Sequence, residues 1–175
     1  MKNPCSAYIA FGSNLGDREG YLCSAIGALR QLGDLRAVSS LYETAPVGTV
    51  PQSDFLNAVA ELQTGLQPEE LLAELLRIEQ EHDRDRRGAP PKGPRTLDLD
   101  LLSYDNVVME TTSLTLPHPA MAERCFVLVP LVEIAPQWRH PVGGKTTMQM
   151  LAELDRKYDG NLPAVRKIPK QRQYS

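Results

Sequence analysis

Two aspartates in an alternating run carry the strongest chemical signal in this sequence. The residues from Thr96 to Leu101 (TLDLDL) alternate between polar and apolar. This pattern predicts a strand with its leucines on one face and Asp98 and Asp100 on the other. The two Cβ atoms would lie about 6 to 7 Å apart, and the charges would repel by roughly 2 to 3 kcal/mol near a protein surface. A positive partner is therefore expected beside them.

Three interpretations of this carboxylate pair are open. A divalent cation is one, since Mg2+ binds one or two carboxylates, keeps several waters and takes its other ligands from substrate phosphates. Arg95 is a second partner, either as an ion pair or as a clamp on a phosphate group. A solvated strand face without a ligand is the third, because Asp-x-Asp is a common tripeptide. The surrounding sequence has to decide between them.

A basic segment rich in glycine and proline leads into the aspartate strand. Residues 84–95 (RDRRGAPPKGPR) contain four arginines and one lysine. Arginine is favourable at the end of a helix in any case. Because this segment adjoins the carboxylate pair, however, its composition favours a loop that covers bound phosphates.

Hydrophobic periodicity predicts the elements that position these residues. Strands are expected at 7–11, 35–43, 55–62 and 97–101, and helices at 18–32, 68–82, 126–134 and 146–155. The turn between Gly12 and Asp17 follows the first strand but matches neither the Walker nor the dinucleotide motif, so we interpret it as structural. His118 lies between two prolines, whose backbones restrain it. No H-E-x-x-H motif or Cys/His cluster supports a zinc site.

Length and composition limit the class of protein. A chain of 175 residues with 42% hydrophobic residues predicts a single domain (1–175), with a core at about 7–155 and a basic, partly disordered tail at about 157–175. The net charge of −3 argues against nucleic-acid binding, and no apolar run is long enough to span a membrane. Cys5, Cys23 and Cys125 form no C-x-x-C pair, which favours a reducing compartment. We therefore expect a cytoplasmic protein that acts on small molecules, with a monomer as the default.

Several short segments in combination carry a family resemblance. They are FGSNLG at 11–16, YETAP at 42–46, FLN at 55–57, GPRTLDLD at 93–100, PHPAM at 117–121 and RCFVL at 124–128. Together they closely resemble the 6-hydroxymethyl-7,8-dihydropterin pyrophosphokinases of the folate pathway, over about residues 7–136. The resemblance implies an α+β, ferredoxin-like fold: an antiparallel sheet with helices packed on its faces, in three α-β-α layers. It also implies transfer of the diphosphate of ATP to the pterin hydroxymethyl group, with release of AMP.

The same resemblance implies a set of site residues. Asp98 and Asp100 match the pair that binds two Mg2+ ions, and they form the catalytic set together with Arg84 and Arg95. The residues matched to ATP binding are Glu79, Arg84, Arg95, Leu97, Thr115, His118 and Arg124. The residues matched to the pterin pocket are Thr44, Ala45, Pro46, Val47, Phe55, Asn57 and Phe126. An asparagine suits a pterin edge because its amide both donates and accepts hydrogen bonds, and the two phenylalanine rings can stack on the pterin faces.

The sequence departs from the usual family pattern at Lys92 and at two of these site residues. Lys92 occupies a position where many members have an aromatic residue, Ala45 replaces a frequent proline and Phe55 a frequent tyrosine. Two other classes of function are weighed beside the pyrophosphokinase. One is a noncatalytic nucleotide- or pterin-binding module, and the other is a different magnesium-dependent phosphotransferase or nucleotidyltransferase. The products separate the enzymes, because pyrophosphoryl transfer yields AMP, phosphorylation yields ADP and nucleotidyl transfer yields pyrophosphate.

Overall fold

An antiparallel sheet carries the fold, in a computed structural model that describes residues 3–83 and 92–169. The elements, in chain order, are β1 (Cys5–Ser13), α1 (Arg18–Leu29), β2 (Asp34–Val38), β3 (Tyr42–Thr44), β4 (Phe55–Thr64), α2 (Pro68–Glu81), β5 (Asp98–Tyr104), β6 (Met109–Glu110), β7 (Thr115–Leu116), a 3₁₀ turn (Met121–Glu123), α3 (Cys125–Ile134), α4 (Thr147–Lys157) and β8 (Val165–Lys167). Within the described residues, no helix is long and apolar enough to cross a membrane.

The strand order is β5-β1-β4-β3-β8, with β2 also paired to β4, and every pair is antiparallel. β1 lies between β4 and β5, so that Gly12 is paired with Asn57 on one side and with Asp98 on the other. Antiparallel pairing brings the ends of β1 and β3 beside the starts of β4 and β5. Residues far apart in sequence therefore meet at one edge of the sheet.

Helices cover both faces of this sheet. One face packs against α1 and α2, through residues such as Leu22 and Leu75, and the other packs against α3, through Val127 and Leu131. α4 packs on the outside of α3. Leu99 and Leu101 on β5, and Leu97 just before it, are buried on the α1/α2 side, while the two aspartates are only partly buried. The alternation predicted for this strand and the predicted layers are both present.

The region predicted as one strand at 35–43 is two strands, so that prediction is wrong. The chain leaves β2 after Val38 and enters β3 at Tyr42. Between them, Ser40 donates hydrogen bonds from its backbone nitrogen and its Oγ to the carboxylate of Glu133 on α3, at 3.1 and 2.7 Å. The hydroxyl of Tyr42 donates to the same carboxylate at 2.6 Å. A side chain distant in sequence interrupts the strand, which periodicity cannot reveal.

The tail also contains structure that the sequence did not predict. β8 pairs with β3, and its Arg166 forms an ion pair with Glu43. Leu162 and Val165 pack against the cluster formed by α3 and α4. The tail therefore adds an edge strand to the sheet at Val165–Lys167.

Glu133 is predicted to stabilise the fold in a pH-dependent manner. Burial alone would raise the pKa of this carboxyl group, but hydrogen bonds from Tyr42 and Ser40 outweigh it and lower the pKa below its usual range. A lowered pKa in the folded state contributes stability above the unfolded pKa of about 4.3, and this contribution is lost as the pH falls through the folded pKa. We expect Glu133→Gln to lower the free energy of unfolding near pH 7 by about 1 kcal/mol, and the difference to vanish near pH 3.

Urea unfolding at the two pH values checks this expectation, with Glu110→Gln on the exposed face of β6 as the matched control. A Glu133→Gln effect of equal size at both pH values, or no effect at neutral pH, would contradict the proposed network.

Candidate active site

A cavity of about 380 Å³ opens at the sheet edge where β1 and β3 end and β4 and β5 begin. Ten of the predicted site residues line it: Thr44, Ala45, Val47, Phe55, Asn57, Arg95, Asp98, Asp100, Arg124 and Phe126. These residues come from β3, β4, β5, the two loops that flank β3 and β5, and the start of α3. The antiparallel register thus brings most of the predicted site together.

Each aspartate of the cavity is paired with an arginine. Asp98 Oδ2 lies 2.9 Å from Arg95 Nη1, and Asp100 Oδ2 lies 3.5 Å from Arg124 Nη1. The two carboxylate side chains are 21% and 32% exposed, so solvent screens them only in part. The positive charge that the sequence requires beside the aspartates is supplied here by arginine.

The same two arginines each lie over an aromatic ring. The guanidinium carbon of Arg95 is 5.7 Å from the centre of the Phe55 ring, and that of Arg124 is 5.7 Å from the centre of the Phe126 ring. At this distance each cation is attracted to the ring face. The cavity therefore has two charged corners, and each of them is in contact with an aromatic wall.

Asn57 and Thr44 form a polar corner at the aromatic end. Asn57 Nδ2 donates a hydrogen bond to Thr44 Oγ1 at 2.6 Å, and both residues are buried. A Cβ atom placed on Gly12 would lie 3.3 Å from Asn57 Oδ1 and 3.6 Å from Phe55. Glycine at this position thus leaves space for the side chains of Asn57 and Phe55. The hydrogen bond to Thr44 holds the Asn57 amide in place.

Asn14, in the turn after β1, joins the two loops that border the cavity. Its Oδ1 accepts a hydrogen bond from the backbone nitrogen of Arg95 at 2.9 Å, and its Nδ2 donates to Gln52 Oε1 at 2.8 Å and to the Ser53 carbonyl at 2.9 Å. Gln52 in turn donates to the Lys92 carbonyl at 2.7 Å. Asn14 is only 3% exposed. This network fixes the segment that carries Arg95 relative to the loop before Phe55.

Some predicted residues lie away from the cavity wall. Glu79, on α2, is 1% exposed and accepts a hydrogen bond from the backbone nitrogen of Leu99 at 2.8 Å, while Leu97 is buried in the core. Both residues contact β5 or the start of it from the face of the sheet that packs against α1 and α2. Pro46 belongs to the loop that contains Ala45 and Val47, but its side chain is not part of the wall. Arg84 lies outside the described residues.

Thr115 and His118 line a second, neighbouring cavity of about 290 Å³ beside β6 and β7. His118 Nδ1 accepts a hydrogen bond from the Ala120 backbone nitrogen at 3.1 Å, which places the proton of the neutral ring on Nε2. Burial lowers the pKa of His118, and Arg124 lowers it further, against the opposing effect of Asp100 and Asp98. The imidazole is therefore neutral near pH 7 but lies within electrostatic reach of the carboxylate pair.

Several residues of the site were not predicted. The hydrogen bonds of Asn14 and Gln52 had no signal in the sequence beyond the polar residue in the FGSNLG turn. The cavity wall also includes Leu154, Tyr158, Pro163 and Ala164 from the C-terminal part of the chain. Nothing in their spacing or residue types indicated this contribution.

The donor set limits which metal site can form here. Among the described residues, no group of three or more histidine, cysteine, aspartate or glutamate side chains could hold a metal ion. Two adjacent carboxylates facing an open cavity fit Mg2+, which takes its remaining ligands from water and phosphate oxygens. Arginine–carboxylate pairs, two aromatic rings and a buried amide in one cavity suit a compound that carries phosphate and a flat polar ring.

The comparison with protein families agrees with this class. The model of the 7,8-dihydro-6-hydroxymethylpterin-pyrophosphokinase (HPPK) family matches residues 8–136. The chain belongs to this family.

Curated relatives and solved structures support the assignment. A Bacillus subtilis protein named 2-amino-4-hydroxy-6-hydroxymethyldihydropteridine pyrophosphokinase is 50% identical over 133 residues, which cover 75% of this chain and 78% of the relative. A Haemophilus influenzae protein of the same name is 47% identical over 132 residues, or 74% and 81% of the two chains. The solved structure of an HPPK-DHPS in complex with substrates is similar with a TM-score of 0.71 and 14% identity, over 90% of this chain and 44% of that one. At this identity the structural likeness shows the fold alone, and the predicted ferredoxin-like fold is confirmed.

Asn14→Ala is expected to impair catalysis although Asn14 is not part of the cavity wall. The change removes the acceptor for the Arg95 backbone and both hydrogen bonds to the loop before Phe55. We expect kcat/KM for pyrophosphoryl transfer to fall about 10- to 100-fold, because small displacements of charged groups have effects of this size. Steady-state kinetics with both substrates measures the loss.

Asn14→Asp keeps the oxygen that accepts from Arg95, so it should retain more activity than Asn14→Ala. Asn106→Ala, at an exposed asparagine after β5, is the matched control. Wild-type kinetics in Asn14→Ala would mean that the loops hold their positions without this network.

Proposed function

We propose that this chain transfers the pyrophosphate group of ATP to the hydroxymethyl group of 6-hydroxymethyl-7,8-dihydropterin, yielding AMP and the pterin diphosphate for folate biosynthesis. The observation that supports the proposal is that two aspartate-arginine pairs, two aromatic rings and a buried amide share one cavity. In a member of this family, that cavity offers a phosphate end and a pterin end. A binding module without catalysis and an ordinary phosphotransferase are less favoured.

The pterin end holds the acceptor substrate. Phe55 and Phe126 stack on the ring, and Asn57 offers its amide to a ring edge after Thr44 has fixed its orientation. Ala45 and Val47 form the side of the pocket, and Pro46 stiffens the loop between them. These contacts place the hydroxymethyl group toward the aspartates, which line the same cavity.

The phosphate end holds ATP. Arg95 and Arg124 are now paired with carboxylates, and a bound triphosphate offers them oxygen atoms of higher charge. The hydroxymethyl oxygen forms a bond to the β-phosphorus while the bond from that phosphorus to the oxygen shared with the α-phosphate breaks. AMP leaves with the shared oxygen, and the proton of the hydroxyl group is released. The arginines offset the charge that develops on the phosphoryl oxygens, which together with positioning is the main contribution of a protein to such transfers.

Asp98 and Asp100 are proposed to hold Mg2+, as two ions that also bind phosphate oxygens. When bound, the metal would supply charge neutralisation of the phosphates and polarisation of the reacting oxygen atoms. The chain's own part is to keep two carboxylates side by side on a rigid strand. The ATP contacts assigned to Glu79, Leu97, Thr115, His118 and Arg84 stay predictions.

The assembly state and compartment also stay predictions. We propose a cytoplasmic protein, which three cysteines that are all free thiols support. A monomer is the assembly state that we predict.

The reaction is tested by resolving the products. With ATP, Mg2+ and 6-hydroxymethyl-7,8-dihydropterin, we expect AMP to form in equal amount to the pterin consumed. Excess EDTA should stop the reaction and added Mg2+ should restore it. Pterin-dependent ADP or free pyrophosphate would instead identify one of the other reaction classes, and the absence of any product despite binding of both ligands would identify a binding module.

Asp98→Asn and Asp100→Asn test the assignment of the metal ligands. An amide keeps the shape of the side chain but weakens a magnesium site, so we expect kcat to fall by a factor on the order of 1,000 or more. Thermal unfolding should change little. Asp34→Asn on the exposed edge strand β2 serves as the control, and near-normal rates in both active-site variants would exclude the carboxylate pair from the reaction.

A further inference from the structure

The wall of the cavity is completed by residues beyond the region that the family model matches. That model ends at residue 136, whereas Leu154, Tyr158, Pro163 and Ala164 line the same cavity as Phe126 and Asn57. We call these four residues the C-terminal wall. Tyr158, at the end of α4, is 45% exposed, and Pro163 and Ala164 are exposed as well.

The C-terminal wall is firmly attached to the pterin end of the site. On either side of Pro163 and Ala164, Leu162 and Val165 pack into the cluster between α3 and α4. Val165 is also paired with Thr44, which belongs to the polar corner of the pocket. The Cys125 thiol, at the start of α3, donates to the Pro163 carbonyl at 3.7 Å.

Two ion pairs add to this attachment. Arg166 pairs with Glu43 on β3, and Lys167 Nζ lies 3.7 Å from Glu133 Oε1 on α3. Strand pairing, apolar packing and charge therefore hold the segment from both ends. The exposed residues between the anchors are presented to the cavity as a fixed surface.

The chemistry of the C-terminal wall matches a ring and not a triphosphate. Its four side chains are aliphatic or aromatic and carry no charge. Of the basic side chains that line the cavity, Arg95 and Arg124 are paired with the two aspartates. A flat bicyclic ring lying between Phe55 and Phe126 would have the C-terminal wall at its side.

We propose that the C-terminal wall determines specificity: it limits the size of the substituents that a pterin may carry and still enter the pocket. This inference rests on the proposed function, because it assumes that the ring binds beside Phe126. It adds a second element to the pterin site, contributed by the end of α4 and by the segment that precedes β8. Pro163 and Ala164 set the width of the pocket, and Tyr158 closes its outer side.

Ala164→Trp tests the proposal by filling the space in front of the wall. We expect the dissociation constant for the pterin, measured from its own fluorescence, to rise about tenfold or more, because a steric misfit in an apolar pocket weakens binding by about this much. The KM for ATP should stay within about twofold. Asn161→Trp introduces the same side chain at an exposed position of the same segment that does not line the cavity, and it should bind the pterin as the wild type does.

Tyr158→Ala provides the opposite test at an exposed position. The quantity measured is the ratio of kcat/KM for a pterin that bears an added ring alkyl group to kcat/KM for the unsubstituted pterin. This ratio should be about tenfold higher in the variant than in the wild type. Tyr158→Phe keeps the ring and should retain the wild-type preference.

Equal pterin affinity in Ala164→Trp and Asn161→Trp, or an unchanged preference in Tyr158→Ala, would overturn the proposal. A wild-type chain that forms no AMP would refute the proposed function instead, and the two failures are thus distinguishable.

Discussion

The balance of charge around two adjacent carboxylates governs the structure of this site. Asp98 and Asp100 cannot be separated, because strand geometry fixes residues two apart on the same face of β5. Their repulsion is offset by Arg95 and Arg124, one from the segment before β5 and one from the residue that precedes α3. In the function that we propose, the same two arginines bind the triphosphate and the same two carboxylates hold the metal.

The remainder of the fold keeps this charged pair in register with an apolar pocket. Gly12 on the central strand pairs with both Asn57 and Asp98, so one strand of the sheet separates the buried amide from the first carboxylate. Asn14 joins the loops that lead into β4 and β5 to each other. Because the hydrogen-bonded ladder is rigid, the distance between Asn57 and Asp98 is set by strand spacing.

The sequence predicted those parts of the fold that depend on local pattern. Leucine alternation located β5 and its aspartates, and helical periodicity located α2 to within one residue. It did not separate β2 from β3, because the interruption depends on Glu133, which lies more than ninety residues away in sequence. Similarly, β8 has little hydrophobic pattern of its own and is stabilised by pairing with β3. Contacts between segments that are distant in sequence cannot be predicted from the local pattern of one sequence. Most of the pocket residues were predicted from the family resemblance.

A crystal structure with Mn2+, a nonhydrolysable ATP analogue and the pterin would show which groups hold the metal and the triphosphate, since anomalous scattering locates the metal. We expect metal bound to both Asp98 and Asp100, and Arg95 and Arg124 in contact with phosphate oxygens in place of their present aspartate partners. Metal bound away from these carboxylates, or arginines that remain on the aspartates while the phosphates lie elsewhere, would contradict it.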